Sequence, residues 1–430
     1  MLRVARLGPR LLGARRASTF AELGLSTDVA ASAEMLGFAE PTAIQRMAIP
    51  LLAEGARAVA LAAETGGGKT VAYLLPLIEQ LKRHESAYGL GVREPGMPRA
   101  LVLTPSPELS RQVAAQLKAF AHTGLGVASC GLSQDQRIKS QAMRLSGLID
   151  VVVCTPALLL LHRDLGHVAL GNVRVVVVDE AEVLMARGPA DDLDEIFRST
   201  GLKGRSTSDT RGDARRAGTQ VVFASATLTA PLRTALAEQF PEVRTLETSG
   251  LHRMPPGMKV HWLKIESKDR YKVVAELITR TRARIGTDHR KSTPASAQTL
   301  VFCNTIDGAR ACEHVLNEAG VRAVSCHGQM PPRRRRAEID AFLGAGELLP
   351  VLVATDAASR GLHFEHVSHV VMADFPKDMA DFVHRAGRTA RQGRPGDVSV
   401  LVAGREADLA NTLRTRIKSG GVIDPISAAR

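Results

Sequence analysis

The sequence predicts an α/β protein built from two parallel-sheet domains in tandem. Short apolar runs alternate with stretches of helical spacing in both halves of the 430-residue chain, as expected for strands joined by helices. A glycine-rich loop connects one such run to the following helix, and a proline- and glycine-containing segment interrupts the pattern between the halves. We therefore predict a first domain over residues 20–248, a linker over 249–257 and a second domain over 258–430.

The first half contains the clearest predicted strands. They are Ala58–Ala62, Ala100–Thr104, Val151–Cys154, Val173–Val178 and Gln220–Ser225. Because sheets of this kind bind ligands beyond the carboxyl ends of their strands, polar residues that directly follow these runs are the first candidates for a site. The polar stretch 200–218 before the last of these strands is predicted to be a surface insertion without a role in the site.

A glycine-rich loop follows the first strand and precedes a predicted helix over Val71–Leu81. The loop consists of Ala63, Glu64, Thr65, Gly66, Gly67, Gly68, Lys69 and Thr70. It fits the phosphate-binding pattern G-x-x-x-x-G-K-[ST] except at Ala63, and its glycines let backbone N–H groups converge on phosphate oxygens. In this pattern Lys69 reaches the β and γ phosphates and the Thr70 hydroxyl binds Mg²⁺. The alternative is a glycine-rich turn with a chance Lys-Thr pair.

Two carboxylates follow the predicted strand that ends at Val178. Emerging beside the expected triphosphate, Asp179 is suited to the Mg²⁺ shell through water, and Glu180 is suited to orient and deprotonate the attacking water. The alternative is an acid pair that caps a helix, and it would be favoured if Lys69 were absent upstream.

Composition favours a nucleic-acid partner that is held by its backbone. Lys and Arg exceed Asp and Glu by 12, which favours polyanionic ligands. Aromatic residues make up only 3% of the chain, so a base-stacking platform is not expected. No apolar run is long enough to predict a membrane span, and the five cysteines show no zinc-binding spacing.

Residues 1–19 differ from the rest of the chain. They carry five arginines with leucines between them and no acidic residue, which is the composition of a mitochondrial transit segment. The sequence therefore predicts the mitochondrial matrix as the location. The alternative is a basic arm that contacts RNA, in which case the nucleus or nucleolus is the expected location.

An aromatic residue and a distinctive run precede the glycine loop. Phe20 lies seventeen positions before Gly37, which opens a Gly-Phe-Ala-Glu-Pro-Thr-Ala-Ile-Gln run ending at Gln45. In these features the chain resembles the DEAD-box RNA helicase family. The resemblance implies two RecA-like domains with an ATP cleft between them, Phe20 stacked on adenine and Gln45 reading the adenine edge, where an amide offers a donor and an acceptor.

The second half carries three further motifs in the order found in that family. They are Leu300–Thr305, Thr355–Gly361 and His384–Arg391. By resemblance Arg388 and Arg391 are arginine fingers supplied across the cleft, while His384 and Arg385 couple the cleft to the RNA-binding motifs. Guanidinium groups suit the first role because they are permanently charged, planar donors. The resemblance also implies that hydrolysis occurs only when ATP and RNA draw the two domains together.

The resemblance assigns the remaining site residues. It implies RNA-binding or coupling positions at Pro105, Gly131, Thr155, Ser225, Thr227, Thr305, Arg335, Thr355, Arg360, Gly361, His384 and Arg385, beside the catalytic residues Lys69, Asp179, Glu180, Arg388 and Arg391.

The chain departs from the family pattern at several positions. Pro107 and Leu158 replace arginines, Glu182 replaces an Asp in the acidic motif, His363 replaces a ribose-contacting Asp, and Pro332 replaces a Gln. Each lost phosphate contact lowers the affinity for RNA and makes that affinity less dependent on salt. We therefore expect the first domain to bind RNA more weakly than is usual in the family.

The sequence thus predicts an ATP- and Mg²⁺-dependent RNA helicase that locally unwinds or remodels structured RNA. If residues 1–19 direct the chain to mitochondria, ribosomal RNA during subunit assembly is the expected substrate. We then expect ribosomal-subunit or RNA-granule proteins as partners. The chain itself is expected to be a monomer. The alternative is an ATP-gated RNA clamp with little unwinding activity. A DNA helicase is disfavoured because the motifs are those of the RNA-acting group.

Overall fold

The structure is a computed structural model in which the chain forms two compact units, the first of which ends at Leu251. It describes residues 18–186, 190–203, 218–251, 254, 257–266, 269–287, 298–343, 351–356, 364, 366–390 and 394–419. The predicted positions Arg360, Gly361, His363 and Arg391 lie outside these ranges, as do residues 1–17 of the leader and most of the insertion at 200–218.

The first unit contains a seven-stranded sheet in which every pair of neighbours is parallel. Its strands are β1 (Ala58–Ala62), β2 (Ala100–Leu103), β3 (Ser129–Gly131), β4 (Val151–Cys154), β5 (Val175–Asp179), β6 (Gln220–Ser225) and β7 (Arg244–Glu247). They lie in the order β3-β4-β2-β5-β6-β1-β7. The predicted α/β class and parallel sheet are confirmed.

Helices connect these strands. They are α1 (Thr27–Met35), α2 (Ala43–Ala53), α3 (Lys69–Tyr88), α4 (Pro107–Phe120), α5 (Ile138–Leu145), α6 (Pro156–Asp164), α7 (Ala181–Ala186), α8 (Ala190–Ser199) and α9 (Ala230–Gln239). The helix after the glycine loop is longer than predicted, because it begins at Lys69 and continues to Tyr88.

Both faces of the first sheet are buried, which explains why its strands are continuous apolar runs rather than alternating ones. In β1, Val59 and Leu61 pack into one core, while Ala58, Ala60 and Ala62 pack into the core on the opposite face. Each residue of β1 has at most 2% of its surface exposed. Burial on two faces fixes the strand register, since a slip would force every side chain into the other core.

A buried ionic cluster joins the ends of β2 and β4 to α3. Arg99 is fully buried, and its Nη2 donates to Asp150 Oδ1 and to Glu85 Oε1, both at 2.5 Å. Arg93 Nη2 also donates to Glu85 Oε1, at 2.6 Å. Buried charges are tolerated where each is paired in this way, so the cluster (Glu85, Arg93, Arg99 and Asp150) ties the helix to the sheet.

The second unit contains a six-stranded sheet, also parallel throughout. Its strands are β8 (Met258–Lys264), β9 (Gln298–Cys303), β10 (Ala323–Cys326), β11 (Val351–Thr355), β12 (Val367–Met372) and β13 (Gly396–Val402), in the order β10-β11-β9-β12-β13-β8. Its helices are α10 (Arg270–Thr287), α11 (Ile306–Glu318), α12 (Pro332–Leu343), α13 (Met379–Ala386) and α14 (Ala407–Lys418). The second parallel sheet predicted from the sequence is thus confirmed.

The register of the first sheet places the predicted motifs side by side. Ala62 at the end of β1 pairs with Ser225 at the end of β6, and Asp179 at the end of β5 pairs with Ala224. The glycine loop, the acid pair and the segment after β6 therefore leave the sheet at the carboxyl ends of three adjacent strands. We call this region the carboxyl edge of the first sheet.

None of the helices in the described parts of the chain combines the length and the apolar character that a membrane crossing requires. All five cysteines are buried as free thiols.

Candidate functional site

At the last glycine of the loop, Gly68, the backbone has a conformation that only glycine accommodates. Gly68 precedes α3 with φ of 89°, in the left-handed region. A Cβ atom at this position would lie 2.5 Å from Gln45 Nε2 and 2.9 Å from Thr42 Oγ1. The loop can therefore adopt this conformation only because the residue has no side chain, as the phosphate-binding interpretation requires.

Side chains from the start of α2 hold this loop in place. Thr42 Oγ1 donates to the Gly67 carbonyl at 2.8 Å, and Gln45 Nε2 donates to the Gly68 carbonyl at 3.1 Å. Gln45 Oε1 accepts from the Thr42 N–H at 2.8 Å. Gln45 is buried and retains one N–H and one lone pair beyond these bonds, so adenine reading stays a prediction for it.

Phe20 lies in the core of the first unit, with no exposed surface. Because neither face of the ring is accessible, the ring cannot stack on a base. The structure therefore places Phe20 among the packing residues, in contrast to the stacking role expected from the family resemblance. Spacing along the chain identified the residue, but it did not reveal that the ring points into the core.

Lys69 is the first residue of α3, and its Nζ donates to the carbonyl of Ala63 at 2.7 Å. The ammonium group thus reaches back to the first residue of the loop. Glu64, Thr65, Gly66, Gly67 and Gly68 separate the two residues along the chain. A positive charge beside backbone N–H groups at a helix N-terminus is an arrangement that attracts phosphate.

Asp179 is held on both carboxylate oxygens. Its Oδ1 accepts from the Glu180 N–H at 2.9 Å and its Oδ2 accepts from the Tyr73 hydroxyl at 2.8 Å. Burial and the neighbouring Glu180 charge raise the pKa of Asp179 to about 7, against the opposing influence of Tyr73 and Lys69. Burial also raises the pKa of Tyr73 well above its usual value, so this phenol remains protonated.

Glu180 has φ of 50°, a left-handed conformation that is uncommon for residues other than glycine. The half-buried residue lies between β5 and α7. Strained backbone of this kind is concentrated at functional sites, which agrees with the role predicted for Glu180.

These residues fit a nucleotide phosphate chain with a divalent cation. The loop offers N–H groups and the Lys69 ammonium to phosphate, and Thr70 and Asp179 offer the oxygen ligands that Mg²⁺ prefers. Burial, and after it the Glu180 charge, raise the pKa of Asp179, and a bound cation would favour its ionised form.

Glu182, which stands where the family usually has Asp, reaches the segment after β6. Its Oε1 accepts from the Ala226 N–H at 3.0 Å. Within that segment Ser225 Oγ donates to the Thr227 carbonyl at 2.5 Å and accepts from the Thr227 N–H at 3.2 Å. The longer acid therefore connects the acidic motif to the predicted coupling motif through its backbone.

The predicted RNA-facing positions of the first unit lie at helix starts. Thr155 precedes α6 and is nearly buried, and within the described residues its Oγ1 has no hydrogen-bond partner. Leu158 is only 4% exposed and belongs to the core, so this position is a packing residue rather than a phosphate contact. Pro107 occupies the first turn of α4, next to the half-buried Pro105. Gly131 ends β3.

In the second unit, Arg385 joins three of the predicted motifs. It is only 1% exposed and donates to both carboxylate oxygens of Asp356 at 2.7 Å. Its Nη2 also donates to Asn304 Oδ1 at 2.5 Å, and its Nη1 donates to the Asp374 carbonyl at 2.8 Å. The guanidinium therefore fixes the ends of β9, β11 and β12 relative to one another.

The other predicted positions of this unit are placed as follows. His384 and Arg388 are buried, at 9% and 3% exposure. Thr305 caps α11 by accepting from the Gly308 N–H at 3.0 Å, and Thr355 is the buried last residue of β11. Arg335 lies on α12 and is half-buried.

Sequence reasoning missed Tyr73, Thr42, Asn304 and Asp374 as parts of these networks. The spacing of Tyr73, one helical turn after Lys69, could have indicated that both face the carboxyl edge of the first sheet. The partners of Arg385 come from different strands, and spacing along the chain does not identify such contacts.

Comparison with known proteins agrees with these motifs. Residues 42–235 match the DEAD/DEAH box helicase model, and residues 282–393 match the helicase conserved C-terminal domain. The chain is 31% identical over 406 residues to the ATP-dependent RNA helicase dbp8 of Aspergillus oryzae, covering 92% of this chain and 84% of the relative. This chain belongs to the DEAD-box RNA helicase family. It is also 32% identical to DEAD-box ATP-dependent RNA helicase 39 of Arabidopsis thaliana, covering 95% of this chain but only 62% of that longer relative.

Two solved structures share the fold of this chain. S. cerevisiae Dbp5 bound to RNA and ADP BeF3 matches with a TM-score of 0.73 at 23% identity, covering 93% of this chain and 94% of Dbp5. The DEAD-box helicase Mss116 bound to ssRNA and UDP-BeF matches with a TM-score of 0.77 at 20% identity, covering 93% of this chain and 78% of that one.

Proposed function

We propose that this chain is an RNA-stimulated ATPase that locally unwinds or remodels structured RNA. The observation that carries the proposal is the convergence of the glycine loop, the acid pair and the Ser225–Thr227 segment at the carboxyl edge of the first sheet. Membership of the DEAD-box family supports RNA as the second substrate.

Nucleotide binding follows from the contacts at this edge. The loop N–H groups and Lys69 hold the β and γ phosphates, and the remaining N–H of Gln45 is available to adenine. Thr70 and Asp179 hold Mg²⁺, which neutralises charge on the phosphates when bound. The hydrogen bonds from Thr42 and Gln45 keep the loop in its binding shape.

Hydrolysis requires a base and additional positive charge. The Glu180 carboxylate orients the attacking water and accepts its proton, while Arg388 and Arg391 stabilise negative charge on the transferred phosphoryl group. In our proposal ATP and RNA draw the two domains together so that these arginines reach the nucleotide. Glu182 and Arg385 then connect nucleotide-dependent movement to the motifs that contact RNA.

RNA is held mainly by its backbone. The basic balance of the chain supports this proposal. Binding of RNA itself is further supported by Dbp5 and Mss116, whose structures were solved with RNA. Gly131, Thr155 and Arg335 are the proposed contacts. Because Leu158 belongs to the core and Pro107 cannot supply charge, we propose that the first domain contributes less to RNA affinity than is usual in the family.

We further propose that the protein acts in the mitochondrial matrix on ribosomal RNA. The acid-free, arginine-rich leader at residues 1–19 supports this location. Imaging a fluorescent protein fused after residue 19 tests the proposal, because mitochondrial accumulation of the fusion is expected. A nucleolar signal would instead support the basic-arm alternative.

A second candidate function is an ATP-gated RNA clamp that closes on RNA without releasing a strand. Pro107 and Leu158 favour it, because two positions that normally contact RNA lack their arginines. A clamp would retain RNA with a non-hydrolysable ATP analogue and turn over ATP slowly.

Steady-state ATP hydrolysis by the full chain, with and without single-stranded RNA, tests the proposed function. We expect strong stimulation by RNA, which Glu180→Gln abolishes because the base is lost while the loop is kept. ATP turnover equal to that of the Glu180→Gln control in the presence of bound RNA would contradict an RNA-stimulated ATPase.

A further inference from the structure

Tyr73 lies behind Asp179, one of the residues proposed to hold Mg²⁺. It lies on α3, one helical turn after Lys69, and only 1% of it is exposed. Its hydroxyl donates to Asp179 Oδ2 at 2.8 Å.

We propose that Tyr73 is a positioning residue that prearranges Asp179 for Mg²⁺. This inference rests on the proposed nucleotide site and adds a residue to it. The phenol hydroxyl bonds one carboxylate oxygen and so fixes the orientation of this ligand side chain. Residues behind metal ligands commonly act in this way, and their loss typically weakens metal binding by about 10- to 100-fold.

Core packing does not account for the hydroxyl. The neighbouring positions Ala72, Leu74 and Leu75 of α3 are fully buried apolar residues, so a phenylalanine would serve the core equally well. A buried hydroxyl is tolerated only where it is hydrogen-bonded, and here it donates to a proposed Mg²⁺ ligand.

The test compares Tyr73→Phe with Tyr88→Phe in the full-length chain. Tyr88 ends the same helix and is 45% exposed, so its variant controls for loss of a phenol elsewhere on α3. The affinity for a fluorescent ATP analogue is measured over a range of Mg²⁺ concentrations and in EDTA. We expect Tyr73→Phe to bind the analogue in EDTA within about twofold of the wild type. The Mg²⁺ concentration at half-maximal enhancement should rise about tenfold. Tyr88→Phe should match the wild type in both measurements.

An unchanged Mg²⁺ midpoint in Tyr73→Phe would overturn the inference, while leaving the proposed function intact. Equal weakening with Mg²⁺ and in EDTA would also overturn it, because a general structural role affects both conditions. Thermal unfolding of the variants identifies such a general effect. If the wild type binds no nucleotide under any condition, the proposed function fails and the inference fails with it.

Discussion

The Glu182 carboxylate accepts a 3.0 Å hydrogen bond from the backbone N–H of Ala226. This bond joins the acidic motif at the end of β5 to the segment that follows β6, and both partners are buried. The chain has a longer acid than the family's usual Asp, and this acid bonds the backbone of the segment.

We expect Glu182→Ala to destabilise the protein by about 2 kcal/mol, because it leaves the buried Ala226 N–H without this acceptor. Glu182→Gln keeps an acceptor oxygen and should cost less than about 1 kcal/mol. Urea unfolding of the two variants measures the difference. Equal stability of Glu182→Ala and the wild type would show that the bond contributes nothing.

Gly68→Ala should abolish tight nucleotide binding and lower stability by about 3 kcal/mol. The left-handed conformation alone costs a Cβ-bearing residue about 1–2 kcal/mol, and the contact with Gln45 adds to that cost. Gly55→Ala is the matched control, since Gly55 has φ of 84° but open space around its Cβ position. The control should lose about 1 kcal/mol and keep its nucleotide affinity. If both variants lose equal stability and affinity, the contact with Gln45 is not the cause.

Arg385→Ala should destabilise the chain by about 3 kcal/mol, because it leaves Asp356 without the guanidinium that bonds both of its carboxylate oxygens. Arg385→Lys keeps the charge but not the planar fork, so we expect it to recover less than half of this loss. Guanidinium chloride unfolding gives both values. A loss of less than about 1 kcal/mol in Arg385→Ala would contradict a joining role for this residue.

Stability should depend on pH through Glu85 in the buried cluster. Burial raises the pKa of Glu85, but hydrogen bonds from Lys82, Arg93 and Arg99 outweigh burial and lower the pKa to about 2. A lowered carboxyl pKa stabilises the fold above the unfolded-state pKa, and this stabilisation is lost as the pH falls through the folded-state pKa. The contribution is about 3 kcal/mol near neutral pH.

The corresponding experiment compares Glu85→Gln with the wild type by urea unfolding at pH 6, 4 and 3. The difference in stability should be largest at pH 6, about 1 kcal/mol smaller at pH 4 and smaller again at pH 3. It shrinks because protonation of the wild-type carboxylate removes the charge that stabilises the fold. A difference that stays constant across this range would show that the charge of Glu85 is not what stabilises the cluster.

Much of the fold could be predicted because its strands are buried on both faces and therefore form uninterrupted apolar runs. The bounds of β1, β4 and β6 were predicted to the residue. The glycine loop and the acid pair were also recognisable from the sequence, since their chemistry depends on adjacent residues.

Features that depend on packing between distant segments could not be predicted. The burial of Phe20 and Leu158 follows from the cores that they enter, and residue spacing does not show which way a side chain points. The bond between Tyr73 and Asp179 joins residues 106 positions apart, and the partners of Arg385 lie in the segments that follow three different strands.

The measurement that tests the central claim most directly is release of a labelled strand from a short RNA duplex by the full-length chain. ATP hydrolysis is followed in the same reaction, with ATP, a non-hydrolysable analogue and the Glu180→Gln variant compared. The account predicts strand release that accompanies ATP turnover and is absent in Glu180→Gln. RNA retained with the analogue and ATP hydrolysed without any strand release would contradict it, and would identify the protein as an ATP-gated clamp.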